Sequence, residues 1–247
     1  MMGDWWVHAY YYEGGFSLIA AWAFWVIFSI TLHELGHGWA ALWQGDQTPR
    51  ELGHMTWNPT AHMSGWSFAM FAIIGIAWGM MPTQPHRYRW GRRGRIVVAA
   101  AGPAVNIILA LLTLSGLALL LHSGPPEGMF QVRLAGFLAV GGMLNIVLAL
   151  LNLLPVPPLD GAQILSGTWY RFYEWFQNPT IRQYSFYVIL AIFFLTPIGP
   201  LAFTGAEALG REWVLLLGGE LPMGVVTRPD GTVIYQGPSL ELLFKFE

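Results

Sequence analysis

Long apolar runs decide what this chain can fold into. Residues 16–43, 96–121 and 134–154 each reach or exceed the roughly 20 residues that carry a helix across a bilayer core. A fourth such run starts near Tyr184 and meets Pro197 and Pro200, which should kink or split it. Residues 201–218 then continue it or lie at the interface. A fifth run, 66–81, is short. Composition agrees: charged residues are 11%, against roughly 25% in an ordinary globular domain. So little charge cannot solvate the surface of a 247-residue chain. The 13 Trp, 9 Tyr and 15 Phe suit a protein with long membrane interfaces. The expected fold class is an all-α polytopic membrane protein with about five hydrophobic segments.

The ends differ from the middle. Residues 1–15 contain no Lys or Arg, so they are not the start of a signal peptide; Trp5, Trp6, Tyr10, Tyr11 and Tyr12 read as an interfacial aromatic belt. In the tail, residues 219–247, two β-rich runs flank Pro229-Asp230-Gly231, which predicts a small hairpin. The membrane-embedded domain is then 16–218. Net charge is −2, which leaves no global field for nucleic acid. With no cysteine, disulfides, thiol catalysis and Cys-type zinc sites are excluded together.

Arg87, Arg89, Arg92, Arg93 and Arg95 crowd the loop before the 96–121 run, which places that loop in the cytoplasm. If 66–81 crossed the bilayer, the loops flanking it would lie on opposite faces. The polar residues ending the 16–43 run and those after the 134–154 run would then not meet. The segment is therefore expected to be re-entrant rather than a simple crossing, unless the orientation is reversed.

His33-Glu34-Leu35-Gly36-His37 stands inside the first apolar run. On a helix, residues i and i+4 share a face, so both imidazoles reach one zinc ion. Glu34 is close to that face, placed to take a proton from water rather than to bind metal. Two His and a Glu at membrane depth are costly unless they share a function. A catalytic zinc site needs a third protein ligand. The candidate is Asp160, which follows Pro155, Pro157 and Pro158 just beyond an apolar run. Irregular backbone at membrane depth survives only where it lines a protein or water cavity. Glu207, a lone acid in the last apolar region, is the rival. Asn106 and Asn152 are tentative contacts for a substrate backbone or oxyanion; Asn145 reads as helix–helix glue. His54 and His62 read first as surface or interface histidines.

These motifs resemble the site-2 protease family, the intramembrane zinc metallopeptidases of the M50 type. The resemblance rests on HELGH at 33–37, Ala101-Gly-Pro-Ala-Val-Asn106, and Asn152-Leu-Leu-Pro with Leu159-Asp160-Gly161. Gly45-Asp46-Gln-Thr48 and the 52–62 stretch further resemble a compact prokaryotic branch without PDZ or CBS domains. His54 and Ser64 depart from that branch, where an Arg and an acid are usual. The resemblance implies Zn²⁺ held by His33, His37 and Asp160, with Glu34 as general base. It also implies cleavage of a membrane-embedded peptide or protein near the cytosolic face of a prokaryotic cell membrane. The competing class is a non-catalytic membrane protein with a structural or transport-related metal site.

Overall fold

The structure, a computed structural model, describes residues 6–169, 171–172, 174, 178–227 and 233–244. Its helices are α1 (Trp6–Trp43), α2 (Thr48–Glu51), α3 (Pro59–His62), α4 (Gly65–Ile74), α5 (Arg92–Leu121) and α6 (Gly128–Asn152). They continue with α7 (Asp160–Thr168), α8 (Pro179–Leu195) and α9 (Ile198–Leu216). Gly15–Trp43 of α1, α5 and α6 are each long and apolar enough to cross a membrane. Tyr187–Leu195 and α9 meet at a 68° bend and together make a fourth candidate span. That bend falls at Thr196-Pro197, where the proline blocks helix continuation. Large apolar side chains such as Leu119, 78% exposed, face outward along these helices. In water such a surface aggregates; in a multi-pass membrane protein it is the lipid face.

α1 begins before its apolar run, at Trp6, and Gly15 at φ +63° separates residues 6–14 from the membrane-length part. Trp5 lies outside the described residues.

The chain divides into two compact units. The first comprises Ile27–Ile108 and Val147–Ala202, and it holds His33, Glu34, His37, His54, His62, Asn106, Asn152 and Asp160. In it α1 approaches α5 closely, because residue 36 is glycine. A Cβ there would meet Val105 Cγ2 at 2.8 Å and the Ala101 carbonyl oxygen at 3.0 Å. Beyond α1, buried Asp46 works as a hub. It accepts from Thr48 N (3.0 Å), Thr48 Oγ1 (2.5 Å) and Gln84 N (2.6 Å). Gln44 adds a backbone bond from Arg89 N at 2.8 Å. The end of α1 and residues 84–90 are thereby tied to one another.

The 66–81 run does not form a spanning helix. α4 has 10 residues, which at about 1.5 Å each is half a bilayer core. The chain then returns as coil: Ser67 Oγ donates to Trp78 O (2.7 Å) and accepts from Trp78 N (2.9 Å). Met80 N donates to His62 O at 3.0 Å. The two ends of the segment thus bond to each other, and α4 is too short to count among the candidate spans.

The second unit comprises Met1–Val26, Leu109–Ile146 and Phe203–Glu247. Its core joins Leu114, Leu117 and Leu121 of α5, Ala135 and Ala139 of α6, and Val214 of α9 to Leu240 and Leu243 of the tail. Trp25 Nε1 donates to Phe137 O at 2.8 Å. Two short strands, β1 (Met223–Thr227) and β2 (Val233–Pro238), pair antiparallel. The Pro229-Asp230-Gly231 turn expected between them lies outside the described residues.

Candidate metal centre

Three donors converge at one point of the first unit. His33 Nε2 and His37 Nε2 are 3.0 Å apart, as one turn of α1 dictates. His33 Nε2 lies 3.1 Å from Asp160 Oδ2, and His37 Nε2 lies 3.3 Å from Asp160 Oδ1. Asp160 arrives at the first position of α7, after a connector whose prolines end α6 and prevent an early restart. All three residues are buried, and so is Glu34.

The far nitrogens of both rings are occupied. His33 Nδ1–H donates to Asn106 Oδ1 at 2.6 Å, and His37 Nδ1–H donates to Val98 O at 2.7 Å. In the neutral rings each Nε2 then carries the lone pair, directed at the other ring and at the Asp160 carboxylate. Asp160 Oδ2 is buried without a hydrogen-bond donor. This is the pattern of metal-ligating histidines, whose other ring N–H is held by a carbonyl or carboxylate. The edges of the triangle, 3.0–3.3 Å, are close to the roughly 3.3–3.5 Å between ligands that each sit about 2.0–2.1 Å from zinc in a tetrahedron. The donor set, two imidazoles and one carboxylate, suits zinc. Among the described residues no other group of three or more His, Cys, Asp or Glu converges in this way.

Two glycines shape the space. A Cβ at Gly102 would lie 2.5 Å from both His33 Nε2 and His37 Nε2. A Cβ at Gly79 would lie 2.5 Å from Glu34 Oε1. The returning arm of the 66–81 segment thus lays bare backbone against the Glu34 carboxylate. Sequence patterns do not single out either glycine for this task. The Gly102-Pro103 pair is a partial signal, since Pro103 has no N–H to bond Ala99 O and so loosens α5 at that turn.

Of the two amides expected near substrate, Asn106 is fully buried and its oxygen goes to His33. Asn152, at the end of α6, donates Nδ2–H to Leu148 O of its own helix at 3.0 Å. Asn145 does the same with Gly141 O at 2.8 Å. Glu207 is absent from the donor cluster; its carboxylate accepts from Leu240 N at 3.3 Å in the second unit. His54 and His62 face each other outside the donor cluster, with ring centres 6.1 Å apart. Burial and the neighbouring His62 hold the His54 imidazole below its ordinary pKa.

The sequence profile of Peptidase family M50 matches residues 21–132 and 114–196. YwhC of Bacillus subtilis, which carries a zinc metalloprotease name, is 33% identical over 78% of this chain and 88% of its own. Rip2 of Mycolicibacterium smegmatis, named in the same way, is 36% identical over 61% of this chain and 56% of its own. The zinc metalloprotease MJ0392 of Methanocaldococcus jannaschii is 26% identical over 68% of this chain and 41% of its own. No solved structure matches the chain.

Proposed function

The chain belongs to peptidase family M50, and from that premise we propose that it cuts peptide bonds of membrane-embedded substrates at the His33–His37–Asp160 site. It is a zinc metallopeptidase of the site-2 protease family. Our reading assigns the zinc to His33 Nε2, His37 Nε2 and one Asp160 oxygen. When bound, zinc supplies Lewis-acid chemistry: it polarises a carbonyl and makes water acidic enough to lose a proton near neutral pH.

The chain's own groups do the rest. Glu34 lies one residue after the first ligand and is not needed as a ligand. Its Oε1 takes a proton from the attacking water and later passes it to the nitrogen of the leaving amine. Asn106 and Val98 O hold the two imidazoles in the tautomer and orientation that aim Nε2 at the metal. Asn152, beside the proline-rich connector, remains the candidate contact for a substrate backbone.

A helical substrate hides its carbonyls in bonds from residue i to i−4, so it must unwind locally before attack. The burial of all four site residues supports a peptide that enters from within the membrane rather than from water. The arginine loop at 87–95 is tied through Gln44 to the end of α1 that carries His37. By the positive-inside rule that end is cytosolic, so cleavage falls near the cytosolic face. The similar proteins are bacterial and archaeal, which points to a prokaryotic cell membrane.

The observation that carries this reading is the convergence of three lone-pair donors, each ring held from behind. A structural zinc site closes with four protein ligands. Among the described residues only three come together here, which leaves a position for chemistry. The test is zinc content beside cleavage of a reconstituted transmembrane peptide. His37→Ala and Asp160→Ala should lose the zinc of this site together with cleavage; a variant that keeps stoichiometric zinc at this site removes that residue from the ligand set.

A further inference from the structure

We propose that His54 and His62 form a second metal site, for a borderline transition ion such as Zn²⁺, in the loop that follows α1. The site is separate from the catalytic triad and rests on its own geometry. His62 is 3% exposed, and its Nε2–H donates to Thr56 O at 2.8 Å. That bond places the proton on Nε2 and leaves Nδ1 as a bare lone pair. His62 Nδ1 is buried and has no hydrogen-bond partner, and the same is true of His54 Nδ1.

The arrangement repeats the logic of the catalytic ligands with the ring nitrogens exchanged. At His37 a backbone carbonyl holds Nδ1–H and Nε2 is free; at His62 a backbone carbonyl holds Nε2–H and Nδ1 is free. A carbonyl behind one nitrogen fixes the tautomer of a ligating imidazole. The ring centres of His54 and His62 are 6.1 Å apart at 70°. Two imidazoles sharing one ion at about 2.0–2.1 Å from each nitrogen have centres roughly 5–6.5 Å apart.

The loop is built to hold this pair. Asn58 Oδ1 caps α3 by accepting from Thr60 N at 3.1 Å, and Pro59 fixes the first helical position, so His62 ends a rigid single turn. His54 N is bonded to Pro49 O at 2.8 Å. Among the described residues no carboxylate completes the pair into a cluster of three. Neutral nitrogen donors alone disfavour Ca²⁺ and Mg²⁺, which want oxygen, and suit zinc with water in the remaining positions. Binding there would clamp residues 54–62. The His62 carbonyl also holds Met80 N, next to the Gly79 backbone that covers Glu34. Occupancy of this site therefore stiffens the support of the catalytic carboxylate.

The test uses the full chain in detergent or nanodiscs, equilibrated with zinc alone and assayed for bound metal per chain. The wild type should hold two ions and His54→Ala one. A His33→Ala/His37→Ala double variant should also hold one, which separates this site from the catalytic reading. Adding His54→Ala to that double variant should leave none. Because His62 is buried and its loss endangers folding, the half-exposed His54 carries the test. A wild type that binds one ion, or a His54→Ala protein that still binds two, overturns the proposal.

Discussion

His33 Nδ1 and Asn106 Oδ1 are 2.6 Å apart, although 73 positions separate them in the chain. The bond fixes the His33 ring so that Nε2 faces His37 and Asp160. Asn106→Leu removes the acceptor and leaves a buried N–H unpaired. Zinc affinity should fall about 10- to 100-fold, the usual cost of losing such a partner. Asn106→Asp keeps an acceptor and should retain zinc. Competition with a chelator of known affinity measures both.

Gly102 is the steric gate of the metal position. In Gly102→Ala the new methyl would sit 2.5 Å from both ligand nitrogens, so the protein should fold yet bind no zinc at the His33–His37–Asp160 site. Gly116→Ala on the same helix is the control. Its Cβ would meet only Leu138 carbons, at 3.8 Å and beyond. Metal content and thermal unfolding of the two variants should therefore diverge: only Gly102→Ala loses metal.

The hydrogen bond from Met80 N to His62 O ties the two ends of the 66–81 segment together, so that segment should not cross the membrane. Single cysteines placed in residues 45–64 and in 83–95 should react with an impermeant thiol reagent from the same face. The chain has no native cysteine to confuse the reading. Labelling from opposite faces would mean that 66–81 crosses the membrane.

Asp46 holds the α1 end to residue 84 with a fully buried carboxylate. Asp46→Ala strands the Thr48 and Gln84 amides, each worth about 1–3 kcal/mol when buried unpaired. The variant should unfold at lower temperature or denaturant and lose zinc as a consequence. Asp46→Asn keeps an acceptor and should lose less.

Much of this was legible before any coordinates. Apolar run length locates the spans at 16–43, 96–121 and 134–154, because a bilayer demands a fixed length whatever the packing. HELGH displayed its geometry directly, since ligand spacing within one helix is set by 3.6 residues per turn. Asp160 was reachable because prolines at 155, 157 and 158 mark irregular backbone where an apolar run ends. The role of Asn106 was not. An amide in an apolar helix looks the same whether it faces substrate or a ligand ring, and only the approach of α5 to α1 decides. The task of Gly79, and that of Gly102 beyond the partial signal of its proline neighbour, is hidden for a related reason: it is the absence of a side chain at a long-range contact. Burial of the His62 ring against Thr56 O likewise belongs to the folded loop, not to the sequence pattern.

The central claim is that Glu34 moves the proton while His33, His37 and Asp160 hold the metal. The measurement is paired zinc content and cleavage rate for Glu34→Gln, reconstituted in lipid with a transmembrane peptide. Gln preserves size and touches none of the three donors, so zinc should stay stoichiometric. Cleavage should fall by at least the roughly 10²–10⁴-fold that follows loss of a general base. A Glu34→Gln protein that keeps its zinc and cleaves at the wild-type rate would contradict the account.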